Sequence, residues 1–231
     1  MFTPSFPLPT MSNPIPTLLT SWLQNLSTSE WMAFRGHGRL DSVRFLRGVR
    51  LQPSLLRAAL EFWDPDLHVF RFGLDELCPT VDDFQAYLRG YDSAVPVVPE
   101  LQRSFPPILV SRLGISGGSA GNLARGNRLN IPRLVELFGG SGDRDDLDWQ
   151  GRRCFALVIC VLAGYFLVSP DGVVSPSLIG VAAQLGQRRD PAPLILAETL
   201  LGLDRMRRGE ADVLGGCPLF LQVVHSLSHN W

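Results

Sequence analysis

The sequence predicts a mostly α-helical protein: a single globular multi-helix domain with at most short β-hairpin pieces. Three observations carry this. Along most of the chain, apolar residues recur at three- and four-residue spacing, between proline, serine, threonine or asparagine starts and glycine stops. Strand-like patterning is confined to two short stretches. One long run, Cys154–Val168, is apolar on every side, as expected of a helix surrounded by others.

The first 29 residues carry no charge and hold five prolines (Pro4, Pro7, Pro9, Pro14, Pro16). They lack the cationic start and apolar core of a secretory signal and the arginines of a transit peptide. A flexible, extended tail over 1–29 is expected, with the domain over 30–231. Pro53 then starts a helix in which Leu56, Ala59, Leu60 and Trp63 share a face. An Asp64-Pro65 turn leads from it into His68-Val-Phe-Arg-Phe72, which alternates like a hairpin strand. Pro79 and Thr80 supply a turn and a cap, with Thr80-x-x-Asp83 resembling a capping box. That box opens a helix over Val81–Arg89, with Phe84, Tyr87 and Leu88 inward and Gly90 as its stop.

Val95–Val98 reads as extended, limited in pairing by Pro96 and Pro99. Gly114–Gly126, rich in Gly, Ser and Asn, reads as a mobile loop. Asn130 and Pro132 introduce a helix through Phe138, ended by Gly139-Gly140. The central apolar run follows. At 15 residues it is short of the ~20 needed to cross a bilayer, so it is read as a buried helix and no membrane partner is expected. Ser175-Pro176 caps a helix to about Leu185. Asp190-Pro191 precedes one over roughly Leu194–Arg208, with Leu196, Leu200 and Leu203 as its stripe. A last helix is expected over Pro218–His229.

Composition narrows the chemistry. The chain contains no lysine, so all 21 of its basic side chains are arginine. This excludes a phosphate-binding loop ending in Gly-Lys-Ser/Thr, a pyridoxal-phosphate Schiff base and a kinase that depends on its strand lysine. No cofactor is expected. The net charge of −1 gives no global field toward nucleic acid or anionic membrane. Charge is nevertheless blocked. Glu30–Arg57 carries six arginines (Arg35, Arg39, Arg44, Arg47, Arg50, Arg57) against two acids, and Glu61–Asp92 carries eight acids against two arginines. The four cysteines, Cys78, Cys154, Cys160 and Cys217, form no Cys-x-x-Cys pair and sit in apolar runs, as free buried thiols do.

Several groups invite a chemical reading. Gly114-Ile-Ser116-Gly-Gly118 matches a nucleophile elbow, with Asp171 and His225 following in triad order. An overlapping match at Gly117–Gly121 shows that glycine-serine composition generates such hits, and an elbow needs a strand before it and a packed helix after it. His225 and His229 share a helix face and Cys217 lies nearby, but three or four ligands are required for zinc, and none other is evident. Glu198 sits in an apolar neighbourhood and is expected to pair with Arg205 on the same face. The Arg35–Arg57 block and the Arg205–Arg208 cluster are the candidates for direct nucleic-acid contact.

Three blocks line up in order. The first runs from Leu55 through Phe62-Trp63-Asp64-Pro65, His68-x-Phe70-x-Phe72-Gly73 and Glu76-Leu-Cys-Pro79-Thr80-Val-Asp-Asp-Phe84 to Tyr87-Leu-Arg89. The second is Phe155 to Val168 with Val173-Val174. The third is Pro193-Leu-Ile-Leu-Ala-Glu198-Thr199, then Arg207-Arg208-Gly209, then Gly216-Cys217-Pro-Leu-x-Leu-Gln222-x2-His225-Ser226. Together, over roughly residues 40–230, they resemble the plant domain of unknown function numbered 7745, itself similar to the aminotransferase-like plant mobile domain. The resemblance implies a transposon-derived nuclear factor, a non-catalytic interaction or scaffold module linked to transposon silencing or genome maintenance. It implies protein partners that are phosphatase-like or chromatin-associated. No catalytic residues are carried over, and an aminotransferase reaction is excluded by the missing lysine. The chain stops at Trp231, earlier than the resemblance leads one to expect, which implies a copy shortened at its C-terminus. The motif residues are expected to maintain the fold: Trp63, Phe70, Phe72 and Phe84 as packing anchors, Glu198 paired with an arginine, and a partner groove near the His225 helix.

Overall fold

The structure is a computed structural model. It describes residues 15–38, 40, 43, 52–88, 95–99, 105–126, 128–140, 146–169 and 173–221. Helices dominate, with one three-stranded and one two-stranded antiparallel sheet among the described residues.

The core is built on α8 (Leu147–Val161), whose residues from Arg153 onward are all buried. Asp146 caps it, accepting from the Asp148 and Trp149 amides. The helix widens into a π-helical turn over Leu162–Phe166, closed by Leu167 N donating to Leu162 O at 2.7 Å. α1 (Ile15–Gln24), α2 (Thr28–Gly38), α5 (Pro106–Leu113), α7 (Ile131–Phe138) and α9 (Ser177–Leu185) pack around it. A helix enclosed on this many sides needs apolar residues all round, which is why the Cys154–Val168 run has no polar face.

α1 corrects the expectation of a tail over 1–29. Ile15, Leu19, Trp22 and Leu23 are buried on one face. Their i, i+4, i+7, i+8 spacing is helical, and Pro16 falls in the first turn, where its missing amide costs nothing. Residues 1–14 lie outside the described residues. Gly164 is what lets α1 lie close, since a Cβ there would stand 3.0 Å from Ile15 Cγ2. Ser27 and Glu30 form a capping box at α2, Ser27 N donating to Glu30 Oε2 at 2.7 Å and Glu30 N to Ser27 Oγ at 3.2 Å. The other Glu30 oxygen lies 3.0 Å from Arg153 Nη1, both side chains buried, and Arg153 Nη1 also donates to Gly140 O. This links α1–α2, α7 and α8 at one buried guanidinium.

α3 (Pro53–Phe62) runs straight into the three-stranded sheet of β1 (Trp63–Asp64), β2 (Val69–Phe72) and β3 (Asp75–Leu77). Trp63 pairs with Phe70 and Phe70 with Leu77. The rings of Trp63 and Phe70 stand 4.8 Å apart, as do those of Phe62 and Phe72. Phe70 is fully buried and Phe72 partly buried. Pro79 is buried, and Thr80 is the cap expected: its amide and hydroxyl donate to Asp83 Oδ2, and Asp83 N donates back to Thr80 Oγ1. α4 (Val81–Leu88) buries Phe84 and Leu88, and Phe84 stacks on Phe220 at 4.0 Å.

Gly114–Gly126 is not a loop. Ser116 caps α6 (Gly117–Leu123), and β4 (Ala124–Arg125) turns back through Gly126 to β5 (Arg128–Leu129). Burial of Ala120, Leu123, Ala124 and Leu129 outweighs the poor helix propensity of the glycines. α10 (Ala192–Arg207) forms where expected. Its buried residues are Ala192, Ile195, Thr199, Gly202, Leu203, Asp204 and Met206, while Leu196 and Leu200 are only partly buried, so the stripe is rotated from the one expected. The chain is again helical at 218–221, the described part of the expected last helix.

Candidate functional site

A cleft of about 390 Å³ opens between α9, α10 and the segments around 167–169 and 173–175. Its lining is apolar at Leu167, Val168, Val173, Leu178, Val181 and Leu194, with Pro99 and three serines, Ser169, Ser175 and Ser177. Glu198 and Arg205 bring the charges. Leu194, Glu198 and Arg205 follow one another at spacings of four and seven, so they share one face of α10.

The walls are held by backbone contacts that only particular residues permit. Val168 and Gly216 exchange hydrogen bonds of 2.9 Å in both directions. Gly216 has φ +78, and a Cβ there would collide with the Thr199 backbone. Thr199 Oγ1 donates to Ile195 O at 2.6 Å and accepts from Cys217 N at 2.9 Å. One hydroxyl thus fixes segment 214–217 to α10, and that segment fixes the 167–169 wall. Cys217 is fully buried beneath it, and burial pushes its thiol up to about 12. On the far side the buried Gln184 side chain donates to Val98 O at 2.7 Å and accepts from Val98 N at 3.0 Å. With the Pro96–Asp190 bridge, this holds the short extended stretch that brings Pro99 to the cleft.

The expected ion pair between Glu198 and Arg205 does not form. Both side chains are exposed, and neither takes part in the ion pairs of the described residues. The reason is geometric: seven residues of helix separate them by about 10 Å of rise. Each therefore presents its charge to whatever enters the cleft. Among the described residues no histidine lines the cleft beside the serine hydroxyls.

A second polar cluster joins the first sequence block to α10. Asp204, buried on α10, accepts from Trp63 Nε1 at 2.9 Å through Oδ1 and contacts His68 Nε2 at 3.0 Å through Oδ2. The His68 ring stacks on Trp63 with centroids 6.0 Å apart, and its backbone is left-handed at φ 56. Asp64 closes the turn beneath. Its Oδ1 accepts from the Asp66 and Leu67 amides, and its Oδ2 lies 2.9 Å from Arg71 Nη1. The Asp66 amide first, then the Leu67 amide and the Arg71 and Arg207 guanidinium groups, hold its carboxyl below the usual range. Pro65 is half-buried in the same turn.

Asp204, Thr199 and Gln184 went unread in the sequence. The available signal was a polar residue set within an apolar helical face, which is costly unless it is partnered. Arg208 is the exposed C-cap of α10, and Arg205, Arg207 and Arg208 do not form one patch: Arg205 lines the cleft and Arg207 acts on Asp64. Ser116 Oγ is occupied as a helix cap, accepting from Ser119 N at 3.2 Å and donating to Ser119 Oγ at 3.0 Å. It follows a helix, α5, where an elbow requires a strand. Asp171, Gln222, His225 and His229 lie outside the described residues, as do Arg39, Arg44, Arg47 and Arg50 of the basic block. Among the described residues no three His, Cys, Asp or Glu side chains are grouped to hold a metal ion, and no helix is long and apolar enough to cross a membrane. No protein-family model, no curated protein and no solved structure matches the chain.

Proposed function

We propose that the protein is a non-catalytic interaction module that docks an extended segment of a partner protein in the cleft between α9 and α10. The observation that carries this is the pair Glu198 and Arg205, both free to face a ligand across an apolar lining. An apolar concavity with a few placed polar groups is the usual form of a recognition site. The spacing dictates the partner. Charges about 10 Å apart on a helix match residues three apart on a polyproline II segment, which rises about 3.1 Å per residue and, with three residues per turn, turns both to the same face. The segment therefore carries a basic side chain opposite Glu198 and an acidic one opposite Arg205, with apolar residues flanking them set against Leu178 and Leu194. The sequence resemblance adds the setting: a transposon-derived nuclear factor whose partners are chromatin-associated or phosphatase-like.

The test is affinity capture from plant nuclear extract with the full chain and with the E198R/R205E double reversal, read by quantitative mass spectrometry. Proteins carrying a basic-x-x-acidic segment should be retained by the native chain and lost from the reversed one, whose circular dichroism should be unchanged. Identical captured sets for the two proteins would dismiss the cleft as the docking site.

A further inference from the structure

The β4–β5 hairpin places two arginines directly opposite each other. Arg125 and Arg128 are cross-strand partners in an antiparallel pair, and both are exposed. Like charges in that relation destabilise a hairpin, and this one has only two residues per strand with which to offset the cost. The ion pairs of the described residues engage Arg57, Arg71, Arg133 and Arg153, and none engages Arg125 or Arg128. Among the described residues from 105 to 140 the acids amount to Glu136, which Arg133 holds at 2.8 Å, against the arginines 112, 125, 128 and 133.

The same charge sign extends beyond the hairpin. Arg112 lies 6.0 Å from the Phe155 ring centroid at the end of α5. The Arg152 guanidinium packs against Gly114, where no side chain larger than hydrogen leaves it room. One short helix, α6, of about 10 Å rise, leads from Gly114 to the hairpin.

We infer that Arg125 and Arg128 form a fork for backbone phosphates of duplex nucleic acid, with Arg112 and Arg152 extending the contact. Two guanidinium groups side by side suit phosphate oxygens, which each can meet in a bidentate manner. Their mutual repulsion becomes useful when an anion sits between them. Duplex is favoured over single strand because single-strand sites rely on exposed aromatic platforms, and neither the hairpin nor α6 carries an aromatic residue. The contact reads charge and spacing, so it is independent of base sequence. It uses different residues from the cleft charges and from the Arg35–Arg57 and Arg205–Arg208 candidates, and stands or falls separately from the docking reading.

The experiment is fluorescence anisotropy of a short labelled DNA duplex with the full chain over a salt series. Single strand of the same length and phosphatidylserine vesicles serve as comparison arms. Duplex affinity should fall about tenfold or more in R125A/R128A, and the slope of log affinity against log salt should shrink by about 2, one per lost phosphate contact. The R57A/R208A variant, with the same loss of charge elsewhere, should bind as the native chain does. Thermal melts should show R125A/R128A folded and no less stable, and R125Q/R128Q should reproduce its loss. Unchanged duplex binding in both hairpin variants, an equal loss in R57A/R208A, or tighter binding to single strand or vesicles than to duplex would overturn the assignment.

Discussion

Asp204 has both carboxylate oxygens committed and almost no access to water. Trp63 Nε1 has no alternative acceptor if Asp204 is removed, because the indole is itself buried. Asp204→Ala therefore loses two hydrogen bonds and strands a buried donor, a cost of about 2–4 kcal/mol. It should appear as a lower urea midpoint at unchanged slope. Trp63→Phe leaves the buried Asp204 Oδ1 without its donor and takes volume from a buried ring, so it should cost more than the alanine variant loses, and the double variant should lose far less than the sum. Equal and additive losses would mean that the hydrogen bond contributes nothing and that Trp63 acts through packing alone.

At the scale of elements, α6 shows where sequence patterning stops being informative. Gly117, Gly118 and Gly121 each disfavour a helix by about 1 kcal/mol relative to alanine, so composition alone points to a loop. What forms the helix is tertiary burial of Ala120 and Leu123 together with the Ser116 cap. Two substitutions of opposite sign follow. Ser116→Ala should lower stability by about 1 kcal/mol through the lost cap. Gly118→Ala should raise it by about 0.5–1 kcal/mol, since a Cβ there meets nothing within 4 Å. Chemical denaturation of the two variants checks both signs, and stability unaffected by either would mean that the segment is loop-like in solution. Elsewhere the elements were legible because strong local signals agreed with the packing: Pro53 and Pro132 near helix starts, the Thr80–Asp83 box, and the unbroken apolar run of α8. Two features of α8 and α1 were not. The π turn at Leu162–Phe166 leaves the hydrophobicity pattern unchanged while shifting the ladder to i+5 bonds. The helix of α1 was obscured by prolines on either side of Ile15. The cleft was half legible. Glu198 and Arg205 stood out as charges on one face, but whether they would meet each other or a ligand depended on an apolar lining drawn from three separate stretches.

At the scale of the molecule, the same enclosure that makes α8 apolar stores protons at high pH. Burial pushes the Cys154 thiol, beside the Glu30 carboxylate, from 9.0 to about 11, and the Cys217 thiol to about 12. Burial raises Cys160 further, and also raises Tyr87 and Tyr165. Above about pH 9 the unfolded chain has released thiol protons that the folded chain retains, so stability is full below that pH and declines as pH rises through the folded values. Each such thiol contributes a slope of about 1.4 kcal/mol per pH unit. Three together amount to roughly 4 kcal/mol per unit, a large share of the ~5–15 kcal/mol that holds a domain folded. The urea midpoint should be flat from pH 7 to 8.5 and fall steeply from pH 9.5 to 11. Cys160→Ala, whatever its effect at neutral pH, should flatten the fall by about one third between about pH 9 and 10, because one of three stored thiol protons is gone before the two tyrosines add theirs. A midpoint that held steady to pH 11, or a slope indifferent to the loss of Cys160, would mean that these thiols ionise alike in both states and that the core around α8 admits water.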